Sequence, residues 1–292
     1  MRHPDRPTGL RCVRCERPAC PDCLVDAAVG FQCVDCVREG NRGVRRATTA
    51  AGGEPVAKPV ASYALIAVNV AMYVLTAVLA GNPLHNEQST FFHQLSGFPP
   101  SMADGEWWRL LTSGFLHFGP VHLAGNMVSL LVLAMIETRL GRGPFLLIYF
   151  LSLLGGSAAA YAFQSPLSEG AGASGAIYGL LGALIVLVLR EKWDFHALMN
   201  VVGLLAVNLA ISISVVEISL AAHLGGLAAG AAVAFGLVVA PREKRRQWHA
   251  VTVVVVVVAI VGLLVVRTPQ VVDAVPLCLP PTADGFSCYR YG

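Results

Sequence analysis

The stretch "AGASGAIYGLLGALIVLVL", Ala171–Leu189, decides how this chain is read. It carries no charged side chain and is long enough to cross the hydrocarbon core of a bilayer as a helix. Yet one hydroxyl, Ser174, stands among glycines and alanines at its start. Polar groups are expensive in hydrocarbon, so a polar residue inside such a run is a functional candidate by default.

Working outward, comparable apolar runs recur near residues 60–80, 121–137, 143–163, 196–215, 218–240 and 250–266. With 171–189 they make seven expected spans, the fifth and sixth parted only by a short polar interruption around Glu217. The 292-residue chain is 55% hydrophobic and only 13% charged, which excludes an ordinary soluble domain. Cytoplasmic flanks collect Lys and Arg while translocated loops avoid them. Ten such residues, from Arg2 to Lys58, precede the first span. The turns after spans two, four and six carry Arg139 and Arg142, then Arg190 and Lys192, then Arg242, Lys244, Arg245 and Arg246. The opposite side holds only Arg109, Arg267 and Arg290. The expectation is a multi-pass protein of the plasma membrane, N-terminus cytoplasmic and C-terminus external. The net charge of +3 then reports membrane topology, and no nucleic-acid partner is expected. The first sixty residues lack an apolar core of signal-peptide length, so the first span is expected to act as the insertion signal.

Six of the eight cysteines fall in "CVRCERPACPDCLVDAAVGFQCVDC" as three C-x-x-C pairs, Cys12 and Cys15, Cys20 and Cys23, Cys33 and Cys36. A two-residue gap lets both thiolates face one ion from a tight turn, and a cytoplasmic segment is kept reduced, so structural zinc is favoured over disulfides. Two tetrahedral sites need eight ligands, and the segment offers these six plus His3. In a cross-braced arrangement Cys12, Cys15, Cys33 and Cys36 complete one site, while His3, Cys20 and Cys23 leave the other one ligand short. The alternative is a single zinc, with His3 an ordinary tail residue. The module is short and poor in large apolar residues, so metal is its main means of stabilisation. Its expected role is docking or regulation through a protein partner. The organisation expected is a zinc-binding module at 1–40, a flexible basic linker at 41–59, a six-helix core at 60–240, a loop and seventh helix at 241–267, and an external tail at 268–292. In that tail Cys278 and Cys288 either close a disulfide loop or remain a free pair.

Polar side chains are sparse inside the expected spans, and those singled out are His122 and Asn126 in the second, Ser174 in the fourth, Asn208 in the fifth and His223 in the sixth. Spans two, four and six all begin at the external face, so His122, Asn126, Ser174 and His223 share one depth, as a single assembled site requires. His122 and Asn126 are four residues apart, as are Ser174 and Tyr178, so each pair shares a helical face. Gly175, Gly179 and Gly182 on the fourth span and Gly226 and Gly230 on the sixth are stripes that let two backbones approach closely. That approach would bring His223 to Ser174. A serine hydroxyl becomes a useful nucleophile once a base such as imidazole takes its proton. The oxyanion formed on an amide carbonyl would find donors in the Asn126 amide, the His122 ring and the Ser174 backbone N–H. Apart from Glu137 at the far end of the second span, no acid lies in these spans to orient the histidine, and Glu217 is expected in a loop, so the reading is a Ser-His dyad with Tyr178 packing on the imidazole. Plainer roles stand beside these. Ser174 alone could be a helix-packing serine, His122 and Asn126 a structural pair, and Tyr178 core packing. His117 reads as loop structure, Asn208 as interhelical glue, and Glu137 and Arg139 as helix-end anchors.

Four ordered motifs carry a resemblance. "GASGAIYG" is similar to the G-x-S-G nucleophile motif of the rhomboid family of intramembrane serine proteases, and "AHLGGLAAG" to its A-H-x-x-G-x-x-x-G histidine motif. "HFGPVHLAGN" resembles the second membrane helix of that family, and "EWWRLLTSGFLH" its first external loop, with the Trp-Arg pair at Trp108 and Arg109. The resemblance implies an all-α membrane protein, a rhomboid-like six-helix bundle with one added C-terminal transmembrane helix and the N-terminal zinc-binding module. It implies Ser174 as nucleophile, His223 as base and acid, and His122 and Asn126 in the oxyanion hole. Transmembrane proteins cut near the outer boundary of the bilayer would be the substrates, with no cofactor for catalysis. The cysteine-rich head lies outside this resemblance and is similar to small B-box or RING-like zinc modules. Two other functions fit parts of the pattern: a catalytically inactive rhomboid-like protein that binds membrane clients, opposed by the intact Ser174 and His223, and a proton-coupled transporter. The ionisable residues cluster at one edge with none continuing inward, which argues against transport.

Overall fold

The computed structural model describes residues 3, 5–43, 48–192, 196, 199, 203, 219–274, 277–278 and 288–289. It divides into two units, Met1–Ala47 and Thr48–Gly292.

In the first unit a 3-10 turn at Pro21–Cys23 leads into an antiparallel hairpin of β1 (Leu24–Asp26) and β2 (Phe31–Cys33), with Leu24 opposite Cys33. Helix α1 (Val34–Gly40) follows directly. The buried side chains here are cysteines, Cys12, Cys20, Cys23, Cys33 and Cys36. Among the described residues of this unit no ordinary apolar core competes with them.

The second unit opens with α2 (Val60–Ala80). Three short helices, α3 (Thr90–Leu95), α4 (Pro99–Ala103) and α5 (Arg109–Thr112), lie in the connection to α6 (Gly119–Leu133), which runs on as α7 (Met135–Leu140). Then come α8 (Arg142–Phe163), α9 (Ser174–Glu191), α10 (Leu220–Val239) and α11 (Arg245–Ala274). Counting α6 and α7 as one, six helices among the described residues are long and apolar enough to cross a membrane. They coincide with six of the seven expected spans, and the chain is an all-α, multi-pass membrane protein. The fifth expected span, 196–215 with Asn208, falls almost wholly outside the described residues, as does Glu217. Two short strands near the C-terminus, β3 (Leu277–Cys278) and β4 (Cys288–Tyr289), pair antiparallel with Cys278 opposite Cys288.

Helix α9 is the most enclosed of the six, as expected of a helix apolar on every face. The glycine stripes do what the sequence reading asks of them. A Cβ added at Gly226 would lie 2.0 Å from the Gly175 carbonyl oxygen, and one at Gly230 would lie 2.1 Å from that of Gly179. Backbones of α9 and α10 therefore touch directly, the packing that small residues permit in place of a hydrophobic driving force in lipid.

At the end of the bundle away from Ser174, Glu137 is fully buried and accepts hydrogen bonds from the Ala61 N–H (3.0 Å), the Ser62 N–H (2.8 Å) and the Ser62 hydroxyl (2.9 Å). The carboxylate thus satisfies donors that the first turn of α2 leaves open, at the positive end of its dipole. Arg142 lies 3.5 Å away as counter-charge. Arg139 pairs with Glu191 at the end of α9 (2.8 Å). Part of the 41–59 stretch, expected to be a free linker, is folded here. Thr49 bonds the Leu140 carbonyl (2.7 Å) and the Gly53 N–H (3.0 Å), and Ala51 enters the main core. Gly53 makes this fit possible, because a Cβ there would meet the Leu140 carbonyl oxygen at 2.4 Å.

At the Ser174 end, buried Arg109 organises the long connection by donating to the carbonyls of His93 (2.5 Å) and Ser96 (2.9 Å) and pairing with Glu106. That connection is fastened to the segment before Ser174. Gly97 and Gly170 exchange both backbone hydrogen bonds (2.8 and 3.0 Å), and the Gly172 N–H bonds the Ser113 carbonyl (2.9 Å).

Candidate active site

Helix α9 starts at Ser174, three residues later than the apolar run suggests. The cause is Gly172, whose φ of +133° is one that L side chains rarely adopt. A Cβ there would also lie 2.8 Å from Cε1 and 3.0 Å from Nε2 of His122. A bare backbone at Gly172 therefore brings the His122 imidazole against the turn that presents Ser174. Both residues line one cavity of about 80 Å³, with Arg109, Ser113, Tyr161 and Gln164 among its walls. That is room for several waters.

His223 lies one turn inside α10 and is buried. Its ring stacks on Tyr178 with centroids 4.0 Å apart and planes 11° from parallel. Tyr178 is one turn beyond Ser174 on α9, and Gly226, one turn beyond His223, sits against Gly175. The stack and the glycine contact together hold the imidazole beside the first turn of α9. Ser219 starts α10 by accepting the Ala222 N–H (3.0 Å), a serine N-cap.

On α6 the Asn126 amide nitrogen donates to the His122 carbonyl one turn back (2.9 Å). An amide nitrogen has two hydrogens, and this bond uses one of them. His122 stacks over Phe118 (6.3 Å, 8°) and meets His117 edge-on (5.2 Å, 66°). His117, outside the spans, is fully buried, and burial, helped by His122, pushes its imidazole down to about 3. It is a neutral ring supporting His122, in keeping with a structural reading.

Ser174, His122, Asn126, Tyr178 and His223 are thus gathered at one end of the bundle. Tyr161 and Gln164 were not singled out in the sequence, although both line the cavity. Ser157, Tyr161 and Gln164 make a polar stripe at i, i+4 and i+7 along the end of α8. That spacing was the available signal.

In the first unit the ligand atoms of Cys12, Cys15, Cys33 and Cys36 lie within 4.8 Å of one another, as do those of His3, Cys20 and Cys23. The Cys15 and Cys33 sulfurs are 3.8 Å apart, and the edge of a tetrahedron with zinc–sulfur bonds of about 2.3 Å is also about 3.8 Å. His3 Nδ1 is 3.2 Å from the Cys20 sulfur and 3.4 Å from that of Cys23. The thiols of the first cluster oppose one another. Backbone donors, led by Cys33, pull Cys12 down to about 6, whereas neighbouring thiols, led by Cys15, push Cys36 up to about 12. Four cysteine sulfurs at this spacing fit zinc, which would hold them as thiolates.

Comparison with known proteins identifies the family. Residues 104–240 match the model of the Rhomboid domain. The chain is 36% identical over 206 residues to the rhomboid protease GluP of Bacillus subtilis (strain 168), covering 69% of this chain and 40% of that protein. It is 36% identical over 155 residues to the putative rhomboid protease YdcA of the same organism, covering 52% of this chain and 77% of the relative. With the rhomboid protease AarA of Providencia stuartii it shares 26% identity over 220 residues, covering 65% of this chain and 76% of the relative. Taken with the helical bundle and the motifs it carries, these matches establish that the chain belongs to the rhomboid family.

Proposed function

We propose that the protein is an intramembrane serine endopeptidase working through a Ser174–His223 dyad. His223 takes the proton as the Ser174 hydroxyl oxygen attacks a peptide carbonyl, then returns it to the departing amine. The Ser174 backbone N–H, the second Asn126 amide hydrogen and the His122 ring are the donors for the tetrahedral oxyanion. A water from the cavity, deprotonated by His223, then releases the acyl group and regenerates Ser174. The observation that carries this reading is the stack of His223 on Tyr178, held beside the first turn of α9 by the Gly175–Gly226 contact, while Ser174 and His122 open on one cavity. The names of the relatives support it.

The Lys and Arg distribution supports a cytoplasmic N-terminus, an external C-terminus and a Ser174 end facing outward in the plasma membrane. Substrates are then transmembrane proteins cut near the outer boundary of the bilayer. Cys12, Cys15, Cys33 and Cys36 would hold one structural zinc, and His3, Cys20 and Cys23 would supply three ligands to a second. The metal would stabilise the head, which serves as a docking or regulatory module for a protein partner, and catalysis uses no cofactor.

The test compares wild type, Ser174→Ala and His223→Ala on a fluorescent transmembrane substrate in proteoliposomes. Cleavage by wild type that both substitutions abolish is the expected result. Cleavage at the wild-type rate by both variants would overturn the proposal.

A further inference from the structure

The apolar run of α11 ends at Val266, but the helix continues from Arg267 to Ala274. Its 30 residues span about 45 Å at 1.5 Å each, well beyond a hydrocarbon core of about 30 Å. Pro269 lies inside this extension, where the missing N–H removes a helical hydrogen bond. Packing compensates. Val271 is fully buried in a cluster with Met102, Leu110 and Tyr161. The Thr268 and Tyr161 hydroxyl oxygens are 3.0 Å apart, and Arg267 donates to the Gln164 carbonyl at the end of α8 (3.2 Å).

Tyr161 is the link to chemistry. It lines the cavity that holds Ser174, as does Met102, and Trp107 meets its ring edge-on at 5.9 Å and 65°. The same two residues, Tyr161 and Met102, pack against Val271 on α11. One wall of the cavity is therefore made by side chains whose backing is the extension of the last helix.

We propose that Arg267–Ala274 is a buttress for that wall, with Thr268 and Val271 as positioning residues that set the size of the substrate side chain the cavity admits. This rests on the protease reading above. Tyr161 and Met102 wall that cavity, and slack behind Tyr161 enlarges it. Thr268→Val removes the hydroxyl at nearly constant volume, Val271→Ala opens space behind the ring, and Thr268→Ser keeps the hydroxyl.

The experiment measures kcat/KM in proteoliposomes for two transmembrane substrates identical except for Ala or Leu before the cut. In Thr268→Val and Val271→Ala the Leu-to-Ala ratio rises about threefold to tenfold, the range of one net hydrogen bond. Most of the change lies in KM for the Leu substrate, and Thr268→Ser returns the ratio to the wild-type value. An unchanged ratio in both Thr268→Val and Val271→Ala, or a Thr268→Ser ratio as high as that of Thr268→Val, would overturn the buttress. Absence of any Ser174-dependent cleavage by wild type would instead overturn the protease reading beneath it.

Discussion

Replacing Gly226 by alanine sets a methyl group against backbone rather than against a side chain that can turn away. The added Cβ lies 2.0 Å from the Gly175 carbonyl oxygen and 3.0 Å from its Cα. Ordinary contact begins near 3.4 Å, so α10 must move from α9 by about 1.4 Å at this level. His223 rides on α10 one turn away, and Gly175 is the neighbour of Ser174. A displacement of about 1 Å between reacting groups costs on the order of 100-fold, which corresponds to about 2.7 kcal/mol of transition-state stabilisation. Overpacking of this kind also costs about 1–3 kcal/mol of stability. Gly226→Ala is therefore expected to lower kcat/KM by about 100-fold or more on a transmembrane substrate in proteoliposomes, with a lower Tm. Gly262→Ala is the control, because a Cβ there meets nothing within 4 Å. Relief of the glycine penalty makes it neutral or stabilising by up to about 1 kcal/mol. Gly226→Ala activity within about twofold of wild type would refute the claim that this backbone contact sets the dyad.

Glu137→Ala leaves the Ala61 and Ser62 N–H donors of α2 without their acceptor, while half-exposed Arg142 turns to water; a loss of about 1–3 kcal/mol is expected, read as a lower Tm in detergent, and an unchanged Tm would contradict the capping role. Burial holds His117 at about 3 against a free value of 6.5, so below pH 6.5 the unfolded chain takes up a proton that the folded chain refuses. Its stabilising contribution is complete above pH 6.5 and falls by up to about 1.4 kcal/mol per unit as pH drops toward 3. His117→Gln should accordingly flatten the fall of Tm between pH 6.5 and 5, and an identical slope would contradict it. A Cys12→Ser/Cys15→Ser double variant should lose one tightly bound zinc per chain by elemental analysis, and full retention of metal would contradict a site built from Cys12, Cys15, Cys33 and Cys36.

Membrane helices advertise themselves because lipid selects for uninterrupted apolar runs, so the limits of α2, α8 and α10 were legible to within a residue or two. The same selection exposes Ser174, His122, Asn126 and His223, since a polar group in hydrocarbon needs a reason to be there. What stayed hidden was set by backbone geometry and by contacts between distant segments. Nothing in the composition of 171–173 announces that Gly172 adopts a positive φ and seats His122. The extension of α11 past Arg267 was hidden because "RTPQ" reads as a helix stop, while burial of Val271 beside Tyr161 sustains the helix. Thr49–Gly53 looked like linker because small and polar residues dominate it. Its order comes from the Leu140 carbonyl, far along the chain.

The central claim is that Ser174 is a nucleophile activated by His223. The measurement that tests it most directly is intact-mass analysis after reaction with a fluorophosphonate, in wild type, Ser174→Ala and His223→Ala. The account predicts one adduct per wild-type chain, mapped to the peptide containing Ser174, with none in Ser174→Ala and strongly slowed labelling in His223→Ala. An adduct on another residue, or labelling that persists in Ser174→Ala, would contradict it.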